Sequence, residues 1–249
     1  MAISNTKIIK SFELKDELNS DIWFLDGDTY KMKPEVRQAL IEIVENYVDF
    51  TDLDLDIEDI TLTGSLSNYN WSDFSDVDLH IIMDFPGGPN SLLKKYLDSR
   101  RIIWNSLRDV TIKDFEVEVY AQDSNEPHFA SGVYSILYDE WIVEPIKGED
   151  IEIDTQKLLS KAKGWMEKID TIEVNAKRKE PEEVLDDIQK FKDKLKKYRG
   201  SGLKDGGEYS YENLAFKFLR RNDYLKKIND VRNELIDKTL TVEEKVSDI

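Results

Sequence analysis

Cysteine is absent from all 249 residues, which excludes disulfides and thiolate-bound metals. Histidine is nearly so: His80 and His128 are the only two, too few for a multi-histidine zinc centre. No stretch approaches the ~20 consecutive apolar residues of a membrane span, and the N-terminus carries no apolar run of signal-peptide length. Together these absences predict a protein of a reducing, aqueous compartment, with the cytoplasm as the expected location and no membrane partner.

Acidic charge is what the chain has in excess, and it is unevenly spread. The formal net charge is −17, from 35 Lys+Arg against 52 Asp+Glu. From residue 151 onward the tally is 22 basic against 21 acidic, which leaves 13 against 31 in the first 150. Two units with different surfaces are therefore expected. The acidic half would repel a polyanion unless cations or the second half intervened.

Periodicity places the elements. Residues 34–48 read as an amphipathic helix with Pro34 in its first turn and Val36, Leu40, Ile43, Val44 and Tyr47 on one face. Asp52 to Asp59 reads as a loop, and a short strand around Ile60 and Leu62 stops at Gly64. Ser65 to Ser75 lacks helical periodicity, whereas Asp76 to Met83 alternates as a half-buried strand. Pro86-Gly-Gly-Pro89 breaks the chain, and Asn90 can cap a helix from about Ser91 to Leu107, with Leu92, Leu93, Tyr96, Ile103 and Leu107 among its apolar contacts. Phe115 to Ala121 alternates again, and residues 133–143 read as a hairpin. Three long helices follow, at Thr155–Asn175, Pro181–Tyr198 and Ser210–Asp237, with Gly200 to Gly207 as a flexible connection. The expected fold is α+β, a mixed β-sheet flanked by helices over residues 1–150, then an all-helical domain over 151–249.

The chemistry concentrates between residues 64 and 118. Asp76 and Asp78 are two apart on a predicted strand, so their side chains leave the same face. Carboxylates held side by side repel unless a cation sits between them. Magnesium prefers oxygen ligands and keeps waters and phosphates in its shell, so such a strand suits one or two ions. A third acid would come from a neighbouring strand, where Glu116 and Glu118 share one face. Spacing alone does not choose between them. Glu118 is taken first because it lies deeper in its strand. Gly64-Ser65, at the end of the preceding strand, permits a tight turn whose amides and hydroxyl can hold phosphate oxygens.

The order Gly64-Ser65, ten residues, Asp76-Val77-Asp78 and later Val117-Glu118-Val119 resembles the polymerase β-like nucleotidyltransferases over roughly Ile60 to Ala121. The resemblance implies a nucleotidyltransferase-like fold and a nucleoside triphosphate such as ATP held by Gly64 and Ser65. It further implies two magnesium ions, replaceable by manganese, on Asp76, Asp78 and Glu118. The activity implied is transfer of a nucleoside monophosphate with release of pyrophosphate. It leaves the acceptor open among small molecules, proteins and RNA. In texture, Gly64 to Ser72 and Glu212 to Arg221 are similar to uncharacterised bacteriophage members of that family. The alternative function is a catalytically silent module of the same fold that binds a nucleotide or a protein partner, in the manner of an antitoxin or sensor.

Other residues carry competing readings. His80 shares the face of Asp76 and Asp78 and is expected to pack or hydrogen-bond rather than ligate; His128 is expected to be an ordinary loop residue. Tyr69, Trp71 and Phe74 either stack on a nucleobase or pack their loop onto the domain. Asp73 is read as a turn residue, and Ser131-Gly132 as a distant candidate for nucleotide contact. The run Lys190, Lys192, Lys194, Lys196, Lys197 and Arg199 is read as a solvated helix face. Arg220 and Arg221, with Lys226 and Lys227 beyond them, are candidates for a positive wall that binds phosphate.

Overall fold

The structure is a computed structural model that describes residues 4–88, 90–126, 130–149 and 152–241. Pro89, Pro127 and His128 lie outside the described residues. In chain order the elements are α1 (Asn5–Lys10), β1 (Trp23–Asp26), β2 (Thr29–Met32), α2 (Pro34–Thr51), β3 (Asp59–Thr63), β4 (Val77–Met83), α3 (Leu92–Leu107), β5 (Thr111–Ile112), β6 (Phe115–Asp123), β7 (Val133–Ser135), β8 (Glu140–Val143), α4 (Thr155–Ala176), α5 (Pro181–Gly206), α6 (Tyr211–Arg221) and α7 (Tyr224–Leu240). They divide into two compact units: Glu13–Asp150, and Met1–Phe12 together with Ile151–Ile249. Residues 4–12 thus cluster with the C-terminal helices.

The α+β unit is built on a six-stranded mixed sheet in the order β5-β6-β4-β3-β7-β8. Only β4 and β6 run parallel, joined through α3; the other pairings are antiparallel. Alternation decides the faces. Val77, Leu79 and Ile81 of β4 and Val117, Val119 and Ala121 of β6 are buried in one cluster with Val36, Leu40, Val44 and Tyr47 of α2 and Leu97 and Trp104 of α3. Each Val, Leu or Ile side chain among them contributes roughly 1.5–3 kcal/mol when fully buried. Asp78 and His80 of β4 and Glu118, Tyr120 and Gln122 of β6 stay half-buried on the opposite face.

Several expectations change against these elements. Strand β4 begins at Val77, so Asp76 stands just ahead of it, in the turn that leads in. The helix starting at Pro34 runs three residues further than its apolar stripe, to Thr51, and ends on the left-handed Asp52. In α3 the cap is Ser91, whose hydroxyl accepts from the Lys94 amide, rather than Asn90. Its buried residues are Leu97 and Trp104, while Leu92, Ile103 and Leu107 are exposed. Trp104 and Leu97, seven apart, define the inward line together with Leu93, which packs partly buried against the same core, whereas the rest of the stripe proposed from periodicity lies off it. The hairpin of β1 and β2, turned at Asp26-Gly27-Asp28, was not anticipated, although Asp-Gly is a hairpin signal.

In the helical unit, Gly200 to Gly207 is not a flexible connection: α5 continues through it to Gly206. The glycine at 202 is buried, and a β-carbon there would fall 2.3 Å from Cβ of Glu212. Glycine here allows α5 and the start of α6 to approach closely, so it marks a contact and not a break. The single helix expected over Ser210–Asp237 is two, because Asp223 takes a left-handed φ of 60° between α6 and α7. Asp tolerates that conformation without glycine's help, which hides the break from a search for Gly and Pro. Leu214 and Phe218 are buried as expected from their spacing. None of the described helices is long and apolar enough to cross a membrane.

Overpacking at such a contact typically costs about 1–3 kcal/mol. Gly202→Val is therefore expected to destabilise the chain by that amount, read as a lower midpoint in urea denaturation with unchanged helical circular dichroism before the transition. A midpoint equal to wild type would mean that the α5–α6 approach is loose.

Candidate functional site

The parallel register of β4 and β6 pairs Asp78 with Glu118 and His80 with Tyr120. Asp76 reaches the same place from the turn before β4. Carboxylate oxygens of Asp76, Asp78 and Glu118 lie within 4.8 Å of one another, and all three residues are half-buried. Glu116 is not among them: it sits opposite Thr111 near the start of β6 and is exposed. Of the two acids that spacing left open, the one paired across the sheet with Asp78 is the one that converges.

Gly64 completes the geometry. It leaves β3 with φ 79° and ψ −159°, a conformation reserved in practice for glycine. A β-carbon at this position would stand 1.9 Å from Oδ2 of Asp78. The missing side chain is therefore what gives the Asp78 carboxylate its room. Ser65 begins a short 3-10 turn ending at Ser67, and its hydroxyl donates to Oγ of Ser75 at 2.7 Å, closing the ten-residue loop upon itself. Ser67 is buried and donates to the carbonyls of Gly64 and Gly132, at 3.0 and 2.9 Å. Asn68 donates to Oγ of Ser131 at 2.5 Å. Ser131 and Gly132 thus brace the turn that carries Gly64.

Two half-buried neighbours shape the acidic cluster. The Tyr120 hydroxyl donates to Oε2 of Glu118. Burial raises the Tyr120 pKa, and the bond to Glu118 and the charges of Glu118 and Asp78 raise it further, with Arg101 opposing. His80 stacks on the Tyr120 ring at 5.2 Å, and its Nδ1 lies 2.7 Å from Oε1 of Gln122. The histidine packs and hydrogen-bonds, as its expected role required. Tyr120 was missed at the sequence level, although it lies on the same strand face as Glu118, two residues on.

Two of the three loop aromatics pack onto the domain, while the Phe74 amide donates to Oγ of Ser72 at 3.3 Å. Tyr69 and Trp71 pack partly buried against the core, and the Trp71 indole donates to the Glu17 carbonyl at 2.9 Å. Asp73 is exposed and stays outside the carboxylate cluster. In the helical unit Arg221 is engaged with the Ser11 hydroxyl and lies 4.6 Å from the Phe12 ring centroid, while Arg220 is exposed. Lys190 pairs with Asp186 at 2.5 Å, and Lys227 with Asp170 and Glu173 at 2.8 and 2.7 Å. Balanced pairs of this kind are what a solvated face carries.

Three carboxylates this close repel by about 3–4 kcal/mol per ionised pair at an effective dielectric near 20. Oxygen is the only donor type present, in the number and spacing that a hard divalent cation accepts. The cluster could hold a metal ion.

Comparison with family models, with curated proteins and with solved structures gives no match.

Gly64→Ala tests the turn. The alanine backbone is strained by on the order of 1–3 kcal/mol in this conformation, and its methyl displaces the Asp78 carboxylate. A lowered denaturation midpoint is expected, together with weaker divalent-cation binding in calorimetry. Wild-type values for both would contradict the cradle.

Proposed function

We propose that this chain is a metal-dependent nucleotidyltransferase, which moves a nucleoside monophosphate from a nucleoside triphosphate to an acceptor oxygen and releases pyrophosphate. The observation carrying this reading is the convergence of Asp76, Asp78 and Glu118 within 4.8 Å, beside a glycine turn that a side chain would block. Its order along the chain, Gly-Ser, then Asp-x-Asp, then a third acid one strand over, supports the same reading.

The donor set fits magnesium, with manganese as a substitute. Asp76 and Asp78 are assigned to both of two ions, and Glu118 to one. When bound, such ions lower the pKa of an attacking hydroxyl and offset the charge of the phosphates. The chain's own residues supply position. Gly64 keeps the space beside Asp78 open and brings backbone close to the phosphates, and Ser65 offers a hydroxyl and an amide to their oxygens. The parallel β4–β6 pairing holds Asp78 and Glu118 opposite each other before any ligand arrives, so no reorganisation is needed at the moment of reaction. No protein base is required in this scheme. The acidic excess of the first 150 residues disfavours a polyanionic acceptor, which places a small molecule or a protein ahead of RNA.

Incubation of the full chain with each labelled triphosphate, magnesium and a cell extract is expected to yield a labelled adduct and pyrophosphate. Asp78→Asn should abolish both. It removes one member of a repelling cluster, so its Tm in chelator is expected to equal or exceed that of wild type. Undiminished turnover in this variant would overturn the scheme. Magnesium-dependent triphosphate binding with no pyrophosphate release would identify the silent module instead.

A further inference from the structure

We propose that Tyr120 is a positioning residue for the acidic cluster: its hydroxyl sets the orientation of the Glu118 carboxylate, and its ring is clamped by Arg101 and His80. The inference rests on the reading of Asp76, Asp78 and Glu118 as a cation site.

The hydrogen bond from Tyr120 to Oε2 of Glu118 joins two residues of the same strand, two apart. It ties no element to another, so its contribution to the fold is small. What it does fix is a rotamer. A glutamate on a half-buried strand face has three free torsions and loses rotamer entropy when held. One hydroxyl at Oε2 removes much of that freedom beforehand. An ionised carboxylate has about four lone-pair sites, so one bond from tyrosine leaves the others for a cation.

The tyrosine is itself held. Its ring stacks on His80 with centroids 5.2 Å apart and planes 25° from parallel. The Arg101 guanidinium carbon, carried on α3, stands 4.5 Å from the same ring centroid. A cation over the ring is attracted by its quadrupole. His80 is oriented in turn by Gln122, at 2.7 Å from Nδ1. Because Tyr120 pairs with His80 in the β4–β6 register, the positions that align the carboxylates also align the two rings. A ladder of Gln122, His80, Tyr120 and Glu118 therefore runs along one sheet face and ends at the acidic cluster, with Arg101 as its contact from α3.

Outer partners of metal-binding carboxylates typically account for about 10–100-fold in metal affinity. Manganese binding by the full chain, followed through the free-ion paramagnetic resonance signal, tests the assignment with no need for an acceptor or turnover. Tyr120→Phe keeps the ring and its contacts and removes only the hydroxyl. Wild type is expected to bind, Glu118→Gln to lose binding, and Tyr120→Phe to bind about 10–100-fold more weakly, with a Tm in chelator within ~2 °C of wild type. Wild-type manganese affinity in Tyr120→Phe would overturn the positioning role and leave the cation site standing. A weakened affinity accompanied by a Tm fall beyond ~5 °C would make Tyr120 a packing residue and overturn the role as well. Absence of manganese binding by wild type would remove the cation site and the positioning role together.

Discussion

Two like-charged carboxylates face each other across a parallel strand pair, and the α+β unit is organised to keep them there. Asp78 and Glu118 are opposite in the β4–β6 register, with Asp76 brought in from the turn ahead of β4. Left to themselves these groups would separate, because repulsion at this distance exceeds what a single hydrogen bond returns. What holds them is the other face of the same two strands. Val77, Leu79, Ile81, Val117, Val119 and Ala121 are buried beneath α2 and α3, and shifting either strand by one residue would turn that apolar set out to water. The hydrophobic side sets the register, and the register imposes the acidic cluster.

The turn after β3 is shaped by the same demand. Gly64 adopts a backbone conformation that other residues avoid, and its lack of a side chain makes room for Asp78. A strained turn needs support, which Ser67 supplies by donating to the carbonyls of Gly64 and Gly132. Polar residues that read as loop filler in the chain are thus the struts of a turn. Tyr120, His80 and Gln122 extend this ordering along the open face of the sheet.

Charge follows a similar division. The first 150 residues carry most of the acidic excess, and three of their carboxylates meet in the cluster. In the helical unit, charges are largely matched within helices and between neighbours, as in the pairs of Lys190 with Asp186 and Lys227 with Asp170. The basic run on α5 is better understood as the polar side of a helix whose buried line is Val184, Ile188, Phe191 and Leu195.

Local pattern alone determined much here. Alternation of period two identified β4 and β6 and told Val117 from Glu118, and the 3.6-residue period located α2, α4 and the buried Leu214 and Phe218, because those signals need no knowledge of the rest of the chain. The acidic candidates were visible for the same reason. The choice of Glu118 over Glu116 rested on its depth in a strand, and only strand pairing decided it, since a register is a relation between segments about forty residues apart. Pairing likewise brought Tyr120 beside His80. Gly202 and Asp223 show the converse: a glycine that resembles a linker marks a helix contact, and an aspartate with no breaker signature ends a helix. In both cases the backbone obeys a neighbour distant in sequence or a local conformation that composition does not encode, and that information exists only once the chain has folded.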